Sequence, residues 1–172
     1  YTDIYDDAMW LVNLVENILS VTRIENGAMA IQKQPELLED VISEALSHIR
    51  RRLRGHTIQV RLENEFLMAW MDAKLIMQVI LNIVDNAIKY TARGGRVEIS
   101  LTAYQLFARI DIKDDGFGME EEEIPKIFGR FYRSRQAAEQ EGVGLGLYLA
   151  REIIESEGGY IKVTSKPGQG SC

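Results

Sequence analysis

Gln78, Asn82, Asp85, Asn86 and Lys89 recur at three- and four-residue spacing in "MQVILNIVDNAIKY" (77–90). On a helix they share one stripe roughly 100° wide, with Tyr90 at its rim. The residues between them, Ile76, Val79, Ile80, Ile83, Val84 and Ala87, are apolar. Asn is a poor helix former because its amide competes for nearby backbone groups. Two Asn four apart on a buried helix therefore point to chemistry rather than to helix stability. Neutral amide oxygens beside a Lys suit a hydrated Mg²⁺ and the phosphates that accompany it.

Three glycine turns follow. In "DDGFG" (114–118) a strand ends in a carboxylate, and Gly116 and Gly118 let a flat ligand approach the backbone. An Asp at that place accepts a hydrogen bond from an exocyclic amine such as adenine's and repels guanine's carbonyl. "GVGLGL" (142–147) sets Gly142, Gly144 and Gly146 directly before a helix, where exposed N–H groups make an anion site. Neither a Walker P-loop nor a dinucleotide fingerprint is present. "GQGS" (168–171) is a further small-residue turn.

These motifs must be held by elements, and the pattern supplies them. Asp72 is a suitable N-cap for the helix that carries the two Asn. "TIQVRLE" (57–63) and "FLMAW" (66–70) read as strands, and "GRVEISLTAYQLFARIDIK" (95–113) reads as two strands joined around Ala103–Gln105. A charged stretch, 120–144, is longer than most loops in a compact domain. A helix is predicted from about Leu145 to Glu157, with "GGYIKVTS" adding a turn and a strand. The expected fold class is α/β (α+β): a two-layer sandwich of helices on a mostly antiparallel sheet, preceded by one long helix. In that first helix Ile4, Leu11, Leu14, Ile18 and Val21, flanked by Val15 and Leu19, form a heptad-like seam suited to a helical hairpin or a dimer. Pro35 is expected to open a second helix running to about Leu53 and ending near Gly55.

Composition narrows the classes. The chain has 172 residues, 46% hydrophobic and 27% charged, with a net charge of −6, so it is globular and gives no reason to expect a nucleic-acid partner. The basic run "IRRRLRG" (49–55) fits the charged end of a helix. A single Cys, Cys172, excludes an internal disulfide framework and fits a reducing compartment. No apolar run approaches the ~18 residues of a membrane span. The chain starts inside a helical pattern and stops at the edge of a strand, so a piece of a longer protein is expected.

The order of the motifs, an Asn-rich helix, D-x-G-x-G, a Phe/Arg-rich loop, G-x-G-x-G and G-x-G-S, resembles the ATP-binding catalytic domain of sensor histidine kinases. That domain belongs to the wider superfamily with gyrase, Hsp90 and MutL. Residues 78–90 resemble the family's N box, 114–118 its first glycine box, "IFGRFYR" (127–133) its F box and 142–147 its second glycine box. Residues 1–34 are similar to the second helix of the dimerisation and phosphoacceptor hairpin, leaving 35–172 as the catalytic domain. "IYDDAMWLVNLVENILSVTRIENG" with "DAKLIMQVILNIVDNAIKYT" most resembles potassium-responsive Kdp-type kinases.

The resemblance implies ATP and Mg²⁺ as cofactors. Asn86 would ligate the metal, while Asn82, Lys89 and Tyr90 would contact the phosphates and ribose. Asp114 would bind the adenine amine with help from Ser171, and Gly116, Gly118 and Met119 would line the base. Gly144, Leu145, Gly146 and Leu147 would wrap the phosphates under a lid, 120–141, anchored by Phe128 and Phe131. Arg130 and Arg133 would reach the γ-phosphate or the partner domain, with Asn82, Lys89 and Arg130 as the catalytic set. Implied partners are the phosphoacceptor hairpin of the parent kinase, a response regulator and a second copy through that hairpin. The fragment would be cytoplasmic, without membrane contact of its own, within a membrane-anchored parent.

One departure stands out: the family's phosphoacceptor His motif is missing. His48 and His56 both read as structural residues, so the acceptor would lie outside this chain and self-phosphorylation is not expected. The alternative is an ATP-hydrolysing clamp of the gyrase, Hsp90 and MutL kind. Those relatives place a Glu general base four residues before the Asn ligand. Here that position is Asn82, an amide that cannot take a proton.

Overall fold

In this computed structural model, residues 2–50, 53, 55–134, 137 and 142–172 are described. The first element, α1 (Thr2–Glu25), presents its apolar seam to the outside: Ile4, Leu11, Val15, Ile18 and Leu19 are exposed. Val21, near its end, is buried against a later helix.

The helix expected at Pro35 begins only at Leu38. Residues Gln34–Leu37 form a strand, β1, paired antiparallel with β3 (Met68–Met71), with Pro35 opposite Trp70. Proline is tolerated in an edge strand, where its missing N–H costs no ladder bond. The helix itself, α2, spans Leu38–Ile49; its N-cap, Leu37, offers no side-chain cap, and Glu39 and Asp40 in the first turn complement the helix dipole instead. It stops short of the expected end, and residues 51, 52 and 54 of the basic run lie outside the described residues.

The main sheet has the order β2 (Thr57–Leu62), β4 (Arg96–Tyr104), β5 (Phe107–Asp114), with β2 parallel to β4 and β4 antiparallel to β5. Val97, Ile99 and Leu101 alternate inward and are fully buried. Each such side chain contributes roughly 1.5–3 kcal/mol relative to its exposed state. They pack with Ile42 and Ile49 of α2 and with Ile80 and Val84 of α3 (Ala73–Lys89) in one core. Asp72 caps α3 as expected, its Oδ1 accepting from the N–H of Lys74 (3.2 Å) and Leu75 (3.4 Å). Helices thus form one layer and strands the other.

The final helix, α4 (Gly146–Ser156), lies beside α3 through a second apolar cluster containing Val79, Leu145, Leu149 and Ile153. The strand expected in "GGYIKVTS" pairs only at its end, as β6 (Ser165–Lys166) against β7 (Gly170–Ser171). Residues 160–163 alternate between exposed and half-buried without joining a ladder. Reciprocal backbone bonds between Thr164 and Cys172 close the β6–β7 hairpin.

Candidate functional site

The apolar circumference of α3 is buried, so its polar stripe emerges between neighbours. That stripe divides. Gln78 faces α1, its amide donating to Asn17 Oδ1 and Ser20 Oγ, both at 3.4 Å. One turn on, Asn82 Nδ2 donates to the Gly146 carbonyl at 3.3 Å and so ties α3 to the start of α4. Asn86 is half-buried on the same face, and its carbonyl accepts from the N–H of Tyr90, the residue that caps α3. Lys89 is exposed, its Nζ 3.8 Å from where a Cβ on Gly142 would stand. The amide helix and the second glycine turn therefore meet.

The first glycine turn closes on the other end of α3. A Cβ on Gly116 would overlap the Tyr90 carbonyl oxygen, and the Phe117 N–H donates to that same oxygen at 3.2 Å. The rings of Tyr90 and Phe117 meet edge to face at 5.6 Å. Burial raises the Tyr90 phenol above its ordinary value, against an opposing pull from the Arg133 charge. Tyr90 is accordingly a neutral hydroxyl at physiological pH.

Asp114, the last residue of β5, lies where that strand pairs with the start of β4. Its Oδ1 accepts from the N–H of Gly116 (2.9 Å) and of Ser171 (3.2 Å). Burial raises its carboxyl above the ordinary value and outweighs those two bonds, which lower it; Asp115 adds to the rise. The last hairpin lies directly against this carboxylate: Gly168 N–H donates to the Phe117 carbonyl at 2.7 Å, and a Cβ on Gly118 would overlap the Lys166 carbonyl oxygen. Met119 N–H donates to Ser165 Oγ at 2.9 Å. It is the amide of Ser171 that touches Asp114, while its hydroxyl bonds Ser165. Ser165 thus belongs to the site although nothing in the sequence marked it; a lone Ser at a strand end carries no pattern.

At the second glycine turn Leu145 is buried in the core, so only its backbone is available to a ligand. Leu147 is half-buried on the first turn of α4. Gly144 is fixed by packing, since a Cβ there would stand 2.6 Å from the Tyr132 carbonyl oxygen. The N-cap, Leu145, makes no side-chain cap, which leaves the first N–H groups of α4 for another acceptor.

The lid segment includes a short 3₁₀ turn, Ile124–Lys126. Ile127 is buried, and Phe128 is half-buried beneath the Arg151 guanidinium at 5.6 Å. Phe131 does not anchor the lid: the residue is 66% exposed and its backbone left-handed (φ 58°), with its N–H on the Gly144 carbonyl at 2.9 Å. Arg130 is turned to α1, pairing with Glu25 and stacking 4.9 Å over the Tyr148 ring. Arg133 Nη2 donates to the Ala137 carbonyl. Residues 135, 136 and 138–141 of the lid lie outside the described residues. Of the two histidines, His48 is exposed on α2, and His56 Nε2 bonds the Thr91 carbonyl at 3.1 Å just beyond α3. Among the described residues no helix is long and apolar enough to cross a membrane.

Comparison with known proteins agrees with this arrangement. The chain is 38% identical over 170 residues to the sensor protein KdpD of Clostridium acetobutylicum, covering 98% of this chain and 19% of that protein. It is 34% identical over 166 residues to the adaptive-response sensory kinase SasA of Rippkaea orientalis, covering 92% of this chain and 41% of that protein. Both relatives are therefore much longer than the segment they share with it. The structure of a mycobacterial sensor histidine kinase, MprB, superimposes with a TM-score of 0.71 at 28% identity, over 81% of this chain and 93% of that one. The family model described as histidine kinase-, DNA gyrase B- and HSP90-like ATPase matches residues 71–172, which hold every glycine turn and the amide helix. The chain belongs to that family.

Proposed function

We propose that this chain is the ATP-binding catalytic part of a two-component sensor histidine kinase and delivers the γ-phosphate to a histidine outside it. One observation carries the reading. A half-buried carboxylate with Oδ1 pinned by two amides stands at one end of α3, and an α4 N-terminus without a side-chain cap stands beside Asn82. A purine nucleoside triphosphate has a donor at one end and anionic oxygens at the other. The residues fit it: Gly116, Gly118 and Gly170 let the turns and the last hairpin close tightly around Asp114, and Gly146 packs against Asn82 without crowding it, a Cβ there standing 3.7 Å away.

In this reading Asp114 Oδ2 accepts from the adenine amine, with Gly116, Gly118 and Met119 along the base. Tyr90 borders the ribose. The backbone N–H groups of Gly144, Leu145, Gly146 and Leu147 hold the phosphates at the helix N-terminus, where the dipole favours anions. Lys89 and Arg133 add positive charge, and Asn86 supplies a neutral oxygen to Mg²⁺. The metal, bound with the triphosphate, would neutralise charge on the β- and γ-oxygens. Catalysis then rests on positioning and electrostatics, with Arg130 of the lid, paired to Glu25 of α1, linking the lid to the helix read as half of the hairpin. Asn82 supports transfer over hydrolysis: its amide is committed to Gly146 and cannot serve as a base for water.

The segment 1–34 would be the second hairpin helix, whose exposed seam suits the first hairpin helix and a second copy. A response regulator would receive the phosphate. Identity to KdpD supports a potassium-responsive parent. The test supplies ATP, Mg²⁺ and a separate His-bearing hairpin protein, and assays acid-labile phosphate on the hairpin. Transfer is expected. Release of free phosphate with no transfer would overturn the reading in favour of a clamp.

A further inference from the structure

Behind the Asp114 carboxylate, the half-buried hydroxyl of Ser165 has three partners. Met119 N–H lies at 2.9 Å, the Gly170 carbonyl at 3.0 Å and Ser171 Oγ at 2.9 Å. A hydroxyl has one proton and two acceptor lone pairs. Met119 N–H can only donate, and the Gly170 carbonyl can only accept. Ser165 must therefore give its proton to Gly170, and the third bond needs a proton from Ser171. The single proton of Ser171 is thus used inside the protein. Its oxygen is left as an acceptor only, on the residue whose own N–H holds Asp114 Oδ1.

We propose that Ser165 is a specificity-determining positioning residue: by claiming the Ser171 proton, it makes Ser171 a second obligate acceptor beside Asp114. Two adjacent acceptors match the two hydrogens of a 6-amino purine and oppose the oxygen of a 6-oxo purine. This rests on the reading of Asp114 as the base-recognition residue. Removing the Ser165 hydroxyl would let Ser171 rotate its proton outward and donate to a 6-oxo group. Discrimination would then fall, even though Ser165 never touches the ligand.

The probes are ATP and inosine triphosphate, which differ at the 6-position of the purine and in the N1 proton that goes with it. Their dissociation constants are measured by calorimetry on the whole chain with Mg²⁺. Ser165→Ala should lower the preference for ATP by about 10-fold, the worth of one hydrogen bond of the stronger kind, chiefly through tighter binding of inosine triphosphate. Ser165→Thr, which keeps the hydroxyl, should restore the preference. In a Ser171→Ala background the Ser165→Ala change should have no further effect on the ratio. If Ser165→Ala does not fold, Ser165→Cys carries the test, since a thiol is a weak donor and acceptor; it should show a smaller fall in the same direction. Equal weakening of both nucleotides, or an unchanged ratio, would overturn the proposal. Failure of the unaltered chain to bind ATP would instead remove the base-site reading beneath it.

Discussion

The two ends of the site use glycine for different reasons. At the base end, Gly116, Gly118 and Gly170 are packed against the protein itself: an added Cβ would overlap the carbonyl oxygens of Tyr90, Lys166 and Asp114 in turn. At the phosphate end Gly144 is likewise packed, but a Cβ on Gly142 or Gly146 would make only ordinary contacts, at 3.8 Å (Lys89 Nζ) and 3.7 Å (Asn82). The first group fixes the geometry of Asp114. The second is not demanded by tight packing, as expected where a ligand approaches a helix N-terminus. The base end is therefore built by folding, whereas Gly142 and Gly146 at the phosphate end are left for binding, and substitutions should separate the two.

The largest effect is expected at the base end. Gly170→Ala meets both a left-handed backbone (φ 81°) and the Asp114 carbonyl. Chemical denaturation should show a loss of about 3 kcal/mol or more, with ATP binding lost as a consequence of the disturbed turn.

Asp114→Asn should do the opposite to stability while harming recognition. Burial raises the Asp114 carboxyl. A carboxyl raised in the fold adds stability below its unfolded value and loses it as pH rises through the folded one. At neutral pH its ionised form thus weighs against folding, so the Asn variant should melt higher at pH 7. The difference should shrink as pH falls through the carboxylate range. Binding has the reverse sign: only the ionised carboxylate is an obligate acceptor, so ATP affinity of the unaltered chain should fall on acidification, and earlier than an ordinary Asp would allow. The Asn variant should lose that pH dependence and its preference for adenine.

At the phosphate end, Gly146→Ala sharpens the comparison. Ala is the better helix former, by ~1 kcal/mol in a helix interior, so thermal stability should hold or rise. ATP affinity should nevertheless fall by roughly 10-fold, about 1.4 kcal/mol. A fall in stability would show that Gly146 serves packing after all. The smallest effect is expected at Arg130→Ala, because the Arg130–Glu25 pair is solvent-exposed on both sides. Melting temperature and ATP affinity should not change resolvably, while hydrogen exchange in the last turn of α1 should accelerate.

Local signals were legible in the sequence and nonlocal ones were not. The Asp72 cap and the helix it opens are encoded within a few residues of where they act and form as read; Gly116 and Gly118, read as room for a flat ligand, instead pack against the carbonyl oxygens of Tyr90 and Lys166. Pro35 illustrates the limit. As a first helical residue it is unexceptional, and only pairing with Trp70, far along the chain, makes it part of a strand. With no side-chain cap at Leu37, nothing local announces the true start of α2. Gln78 sits on the expected stripe, but α1 runs beside that half of the helix and takes its amide. Phe131 looked like an anchor by residue type, yet its backbone turns it outward. Ser165 matters through the bonds it exchanges with two other segments, which no window of sequence contains.

Calorimetry with ATP, with and without Mg²⁺, on the chain and on Asn86→Ala tests the central claim most directly. Saturable one-site heat is expected from the unaltered chain with Mg²⁺. In the variant the affinity should be weaker by about 100-fold, some 2.7 kcal/mol, with its circular dichroism unchanged. No heat from any adenosine phosphate in the presence of Mg²⁺, or full affinity in Asn86→Ala, would contradict the account.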